Sequence, residues 1–269
     1  VDLVQRHAVT RTGRLGAPAM VLGPGFGCDQ DMWRHVAPAF ESDHEVVRFD
    51  HVGSGQSDVS AYDPEHYDDL QAYADDIVLL SRELGLRDIV LVGHSVAAMM
   101  AVLAQRAAPD LFAALVLVGP SACYVDDLET GYVGGFDERD VEELLELLGS
   151  NYLGWSRSMA PVIMGNADRP ELGQELTDSF CRTDPDVARQ FARLTFTSDN
   201  RADLPHVSAP TLVLQCTDDT IAPLSAGRYV HDAIPDSTWV HLDAVGHLPH
   251  LSSPDETIAA IRSFLDARA

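Results

Sequence analysis

The chain has 269 residues, with 18 basic and 42 acidic side chains and a formal net charge of -24. Hydrophobic residues make up 46% and charged residues 22%, an ordinary globular composition that excludes a disordered chain. The acidity excludes the basic footprint that nucleic-acid binding or anchoring to an anionic membrane needs, and it reads as a solvated, solubilising shell.

Met20–Leu22 is a short apolar run that ends in a glycine-rich loop, Gly23–Cys28. Val46–Phe49 is a second run, followed by another glycine loop, Asp50–Ser57, read as a structural turn under the sheet edge. Leu70, Tyr73, Ala74, Ile77, Leu80, Ser81 and Leu84 share one face of a helix that Gly85 stops. Ile89–Val92 leads into a helix expected from Ser95 into Ala107, and Leu115–Val118 follows. Thr211–Leu214, a helix after Pro223, Trp239–Leu242 and a last helix from Pro254 to about Ala267 complete the chain. The strand runs are continuous rather than alternating, as in a mainly parallel sheet covered on both faces. Strand and helix alternate, which predicts an α/β fold with a doubly wound sheet.

The alternation breaks once. Val141, Leu144, Leu145 and Leu148, then Tyr152, Trp155 and Met159, then Val187, Phe191 and Leu194 repeat at helical spacing, with no strand signal between them. Residues 124–200 are therefore expected to form a helical cap inserted into a core made of 1–123 and 201–269. The longest apolar run, Val96–Ala104, is far short of the roughly 18 residues of a membrane span, and no signal-peptide pattern is visible. Cys28, Cys123, Cys181 and Cys216 are isolated, which fits reduced thiols in a cytoplasmic protein better than a disulfide framework or a zinc site.

The sharpest motif is Gly93-His94-Ser95-Val96-Ala97, at a strand-to-helix junction. That is the setting of a nucleophile elbow, a tight turn that lifts a Ser hydroxyl out of the sheet. Small residues are needed two before and two after the Ser, where strand and helix backbones approach. Gly93 meets that need, and Ala97 stands where glycine is usual. The competing reading is a Ser that merely caps the helix. A Ser nucleophile needs a base, and the base needs an orienting carboxylate, in the chain order Ser, acid, His. The adjacent pair Asp218 and Asp219 follows one strand run, and His247 follows the next. All would lie at carboxyl ends of strands, where α/β sheets hold their ligands. The backbone N–H groups of Val96 and Phe26 are the candidate oxyanion hole. His247 and His250 lack further ligands nearby, so no metal is expected. The cap aromatics make an apolar ligand pocket expected above the site, from Tyr124, Phe136, Trp155, Met159, Phe191 and Phe196, with His94 beside the nucleophile.

These residues belong to the α/β-hydrolase superfamily pattern, and several stretches resemble the RsbQ-type hydrolases of bacterial stress signalling. They are Pro24–Gln30 with Trp33, Gly93–Val96, Gly134–Phe136, Asn151-Tyr152 with Gly154-Trp155, Ala188–Phe191, Leu214–Cys216 with Asp218-Asp219, and Gly246-His247 with Pro249-His250. The plant karrikin and strigolactone receptors look like more distant relatives. The resemblance implies a cofactor-free, slow Ser hydrolase that senses a small hydrophobic ester or lactone. It implies a PAS-domain protein phosphatase as partner and a role in switching on a stress sigma factor. It also selects Asp219 as the acid, four residues before Pro223, leaving Asp218 to point away. A metabolic carboxylesterase and a cofactor-free oxygenase or perhydrolase are the other readings of the same triad. A dehalogenase or epoxide hydrolase would need a carboxylate in place of Ser95.

Overall fold

The computed structural model describes residues 2–268. Seven strands form one sheet in the order β1-β3-β2-β4-β5-β6-β7. They are β1 (Thr10–Gly13), β2 (Ala19–Gly23), β3 (Glu45–Arg48), β4 (Ile89–His94), β5 (Phe112–Val118), β6 (Thr211–Asp218) and β7 (Ser237–Val245). Among the described residues only the edge strand β1 runs antiparallel, to β3. The helices are α1 (Leu3–Arg6), α2 (Leu70–Glu83), α3 (Val96–Ala107), α4 (Glu138–Ser150), α5 (Tyr152–Met164), α6 (Pro170–Arg182), α7 (Pro185–Thr197), α8 (Leu224–Ala233), α9 (Pro249–Ser252) and α10 (Pro254–Asp266).

The continuous apolar runs have a simple cause. Successive side chains on a strand point to opposite faces, and here both faces are buried. Ile89 and Leu91 of β4 enter one core, with helices α2 and α3; Val90 and Val92 enter the other, with Trp33, Phe40, Ile261 and Phe264. Strand β1 was missed by the sequence reading because Thr10-Arg11-Thr12-Gly13 has no apolar run and alternates between half-buried and exposed positions. Acidic residues start several elements. The carboxylates of Asp69, Asp137 and Asp184 accept backbone N–H groups at the starts of α2, α4 and α7, where orphan donors and the helix dipole favour negative charge.

The segment between β5 and β6 is helical, as expected, and holds α4, α5, α6 and α7. Helix α6 went unread in the sequence, although Leu172, Leu176 and Phe180 recur every four residues along it. Leu148, Ala160, Leu176 and Phe180 pack into a third apolar cluster. Its two ends meet at a neck, where Asn200 N–H donates to Ala122 O at 2.8 Å.

The strand order places the site. From β2 the chain steps outward to β3, then crosses back to β4 on the other side of β2. The loops after β2 and β4 therefore emerge side by side, with Gly23 registered against Gly93. Such a switch point opens a crevice at the carboxyl edge of a parallel sheet. The turn after β7 closes against the cap. Gly246 has φ +87°, and a Cβ there would collide with the carbonyl oxygen of Met164. Gly246→Ala is expected to cost about 2 kcal/mol or more of unfolding free energy in urea. An unchanged urea midpoint would contradict this packing.

Candidate active site

Ser95 occupies the turn between β4 and α3 with φ 57° and ψ -124°, a conformation that an L-residue adopts only under constraint. Its N–H is tied to Val118 O of the neighbouring strand at 2.8 Å. Its side chain makes no capping hydrogen bond to α3, which removes the capping reading. The elbow is tight enough that a Cβ on Gly93 would collide with the backbone of Ala97. Ala97 itself fits because it faces Gly23; even a Cβ on that glycine would lie at ordinary contact, 3.5 Å away.

The hydroxyl of Ser95 lies 2.7 Å from His247 Nε2, and His247 Nδ1 lies 2.7 Å from Asp219 Oδ2. A carboxylate only accepts, so Nδ1 carries the proton and Nε2 is free to accept from Ser95. Asp219 is further held by the N–H groups of Ile221 and Ala222 on Oδ1, at 2.9 and 3.0 Å. Burial opposes charge on Asp219, but the adjacent imidazole and these N–H donors outweigh it and hold its pKa below the usual carboxylate range. Asp218 ends β6 exposed to solvent, away from this line. His247 is fixed through its backbone from two directions. Its N–H donates to Ile163 O of the cap at 2.9 Å, and its carbonyl accepts from His94 Nε2–H at 2.9 Å.

The loop after β2 passes close to the elbow: a Cβ at Gly25 would lie 3.1 Å from Ser95 Cβ. Among the described residues, neither the Phe26 nor the Val96 N–H has a protein acceptor.

Above Ser95 lies a narrow, mostly apolar cavity of about 30 Å³. Of the sequence candidates, His94, Tyr124, Trp155, Met159 and Phe196 line it, as does Phe26. Phe136 and Phe191 do not. Phe191 is turned into the sheet core, stacked on Tyr73 at 4.8 Å, and Phe136 packs behind Tyr124 and Phe196. A helical face can be read from spacing, but which neighbour it meets depends on how the helix docks. The sequence reading missed Leu176, Phe180 and Leu248 in the lining. For Phe180 the four-residue repeat along α6 was the available signal. It also missed that the Tyr124 hydroxyl lies 3.4 Å from Ser95 Oγ. Burial raises the Tyr124 pKa, so the phenol stays protonated and can donate.

Behind the base stand two more buried imidazoles. His250 lies between Trp33, stacked at 4.3 Å, and His94 at 4.6 Å. This packing uses His250 as an apolar ring rather than as a ligand. Among the described residues no group of three or more His, Cys, Asp or Glu side chains is placed to hold a metal ion. Among them, also, no helix is long and apolar enough to cross a membrane.

A family model described as the alpha/beta hydrolase family matches residues 20–260. The chain belongs to this family. It is 37% identical to the karrikin insensitive 2 receptor CA of Petunia hybrida over 247 residues, 91% of each chain. It is 34% identical to strigolactone esterase D14 of Arabidopsis thaliana, over 93% of each chain. A solved hydrolase from Oleispira antarctica superposes with a TM-score of 0.94 at 37% identity, covering 98% of this chain and 96% of that one. With its mostly parallel sheet and flanking helices, the fold is that of the alpha/beta hydrolases.

Burial also sets a pH response. Desolvation lowers the pKa of His51 to about 4 and of His94 to about 3, and lowers those of His7 and His250 as well. In the unfolded chain such groups bind a proton near pH 6.5. Unfolding therefore takes up protons between about pH 6.5 and 4, and stability falls as pH drops through that window. Asp50, whose pKa burial raises, works in the opposite sense but is a single group. Urea midpoints should decline steadily from pH 7 to 4.5; a flat profile would show that these rings are not buried neutral.

Proposed function

We propose that the chain is a serine hydrolase that opens a small apolar ester or lactone, with slow turnover suited to sensing. The observation that carries this reading is the hydrogen-bonded line Asp219–His247–Ser95, ending in an apolar cavity. In the first step Ser95 Oγ attacks the carbonyl carbon as its proton passes to His247 Nε2. The carbonyl electron pair moves onto oxygen, toward the Phe26 and Val96 N–H groups. Asp219 holds the imidazole tautomer and balances the imidazolium. When the tetrahedral intermediate collapses, the ester C–O bond breaks and His247 returns the proton to the leaving alkoxide. From a lactone the new hydroxyl stays tethered to the acyl group. Water then repeats the sequence on the acyl-serine and restores the enzyme.

The cavity supports a compact, apolar substrate. At about 30 Å³ the cavity is small, so a bulky acyl chain does not fit without movement of the lining. The sensing role rests on the sequence resemblance to RsbQ-type hydrolases and on the receptor name of the petunia relative. The same resemblance supports a PAS-domain protein phosphatase as partner, tested by its co-purification from the native host. Turnover separates this reading from a metabolic carboxylesterase, which should complete many cycles per minute on simple esters. Oxygen consumption dependent on a heteroaromatic substrate would favour a cofactor-free oxygenase instead.

Ser95→Ala is expected to abolish both p-nitrophenyl ester hydrolysis and labelling by a fluorophosphonate, with an unchanged circular dichroism spectrum. Retained hydrolysis in a folded variant would remove Ser95 as nucleophile. The two adjacent carboxylates should separate by orders of magnitude. Asp219→Asn should lower kcat toward the ~10⁴-fold seen when the acid of a serine protease is changed likewise. Asp218→Asn should cost less than about tenfold, or about 1.4 kcal/mol. A larger loss for Asp218→Asn, with kcat compared on one ester, would reverse the assignment.

A further inference from the structure

The loop that offers the Phe26 N–H is held at several carbonyls. A peptide unit is planar, and its C=O and N–H point in opposite directions. The Gly25 carbonyl and the Phe26 N–H belong to one such unit. Cys28 N–H donates to that carbonyl at 3.2 Å, so the Phe26 N–H must face the other way. The unit before it and the Gly27–Cys28 unit beyond it are held by side chains from distant parts of the chain. His51 Nε2–H donates to Pro24 O at 2.9 Å. Ser179 Oγ–H donates to Gly27 O at 2.8 Å. Both side chains are buried, at 2% and 3% exposure for their residues, so water does not compete for either bond.

We infer that His51 and Ser179 are positioning residues that clamp the oxyanion loop, one from the core and one from the cap, and so aim the Phe26 N–H. This rests on the serine-hydrolase reading above. His51 stands just past β3, packed edge-on against Phe49, Tyr73 and Phe191 at 5.2–5.8 Å, which leaves its ring little freedom. It is also neutral, because burial lowers its pKa to about 4, so Nε2 keeps its proton once that nitrogen faces a carbonyl. Ser179 lies on α6, the helix that covers the loop. Phe180 packs over Gly27, and Arg182 of the same helix pairs with Asp29. The loop Asp50–Ser57 thus serves catalysis at one remove. Its Asp50 carboxylate also accepts the Gln30 N–H at 2.7 Å, on the far side of the oxyanion loop.

A clamp on an oxyanion donor acts mainly on the transition state, so its loss should lower kcat and leave KM nearly unchanged. Removing an oxyanion donor outright costs about 10²–10³ in kcat. Loosening one anchor should cost less, about tenfold. The test uses the full chain with p-nitrophenyl acetate and compares His51→Phe, His51→Gln and Ser179→Ala. His51→Phe and Ser179→Ala should each lower kcat about tenfold with KM within about twofold. Affinity for a trifluoromethyl ketone, which forms a tetrahedral adduct on the serine, should weaken by the same factor. His51→Gln places an amide N–H near the Nε2 position and should recover most of the loss. Should His51→Phe fail to fold, Ser179→Ala and the Gln variant still decide. A rise in KM at constant kcat, or folded variants with unchanged kcat, would overturn the clamp while leaving the hydrolase reading intact. A wild-type chain that neither turns over the ester nor labels with fluorophosphonate overturns the hydrolase reading, and the clamp falls with it.

Discussion

The hydrogen bond between Asp219 and His247 is the interaction on which the rest depends. It is 2.7 Å long, and the two side chains are 0% and 4% exposed. A carboxylate removed from water this completely must be compensated locally, or its charge is lost. The compensation comes from the imidazole and from two N–H groups of the turn that follows β6. That requirement fixes the tautomer of the base, the course of the turn and the adjacency of β6 and β7. The base must then reach a hydroxyl that stands on β4, two strands away from β6. The sharp turn at Ser95, held by Val118 of the intervening β5, brings it within reach.

Much of this was legible in the sequence, for a physical reason. A sheet covered on both faces needs apolar residues at consecutive positions, so β2 to β6 left continuous runs. The elbow was legible because a close backbone approach restricts residue size at Gly93 and Ala97. The order of Ser, acid and His could be read because each follows its own strand. What could not be read involves contacts between distant segments. Strand β1 is a polar edge without an apolar signature. Phe180 enters the cavity and Phe191 does not, although both lie on amphipathic cap helices; their docking decides. His51 and Ser179 meet the loop after β2 from opposite sides, and no local pattern in either segment points to that loop.

The acidic composition is divided between local and solvated uses. Some carboxylates start helices, and others pair with arginine: Arg34 with Glu175, Arg106 with Asp203, Arg201 with Asp127 and Asp199, Arg262 with Asp43. All 18 basic residues are arginine, with no lysine in the chain. A planar guanidinium offers several fixed donors at once, which suits one side chain bridging two partners, as Arg201 does. Such surface pairs add little stability each, roughly 0–1 kcal/mol. Their consequence is geometric, since Arg34 and Arg201 join the helical insertion to the core on two sides.

Ser95 carries a positive φ that glycine would adopt without strain. Ser95 is therefore not the residue its backbone prefers. Selection for stability alone would drift toward glycine at this position and lose the hydroxyl. On the proposed function, the chain keeps a nucleophile here at a cost in folding energy, a trade between stability and activity concentrated in one dihedral angle.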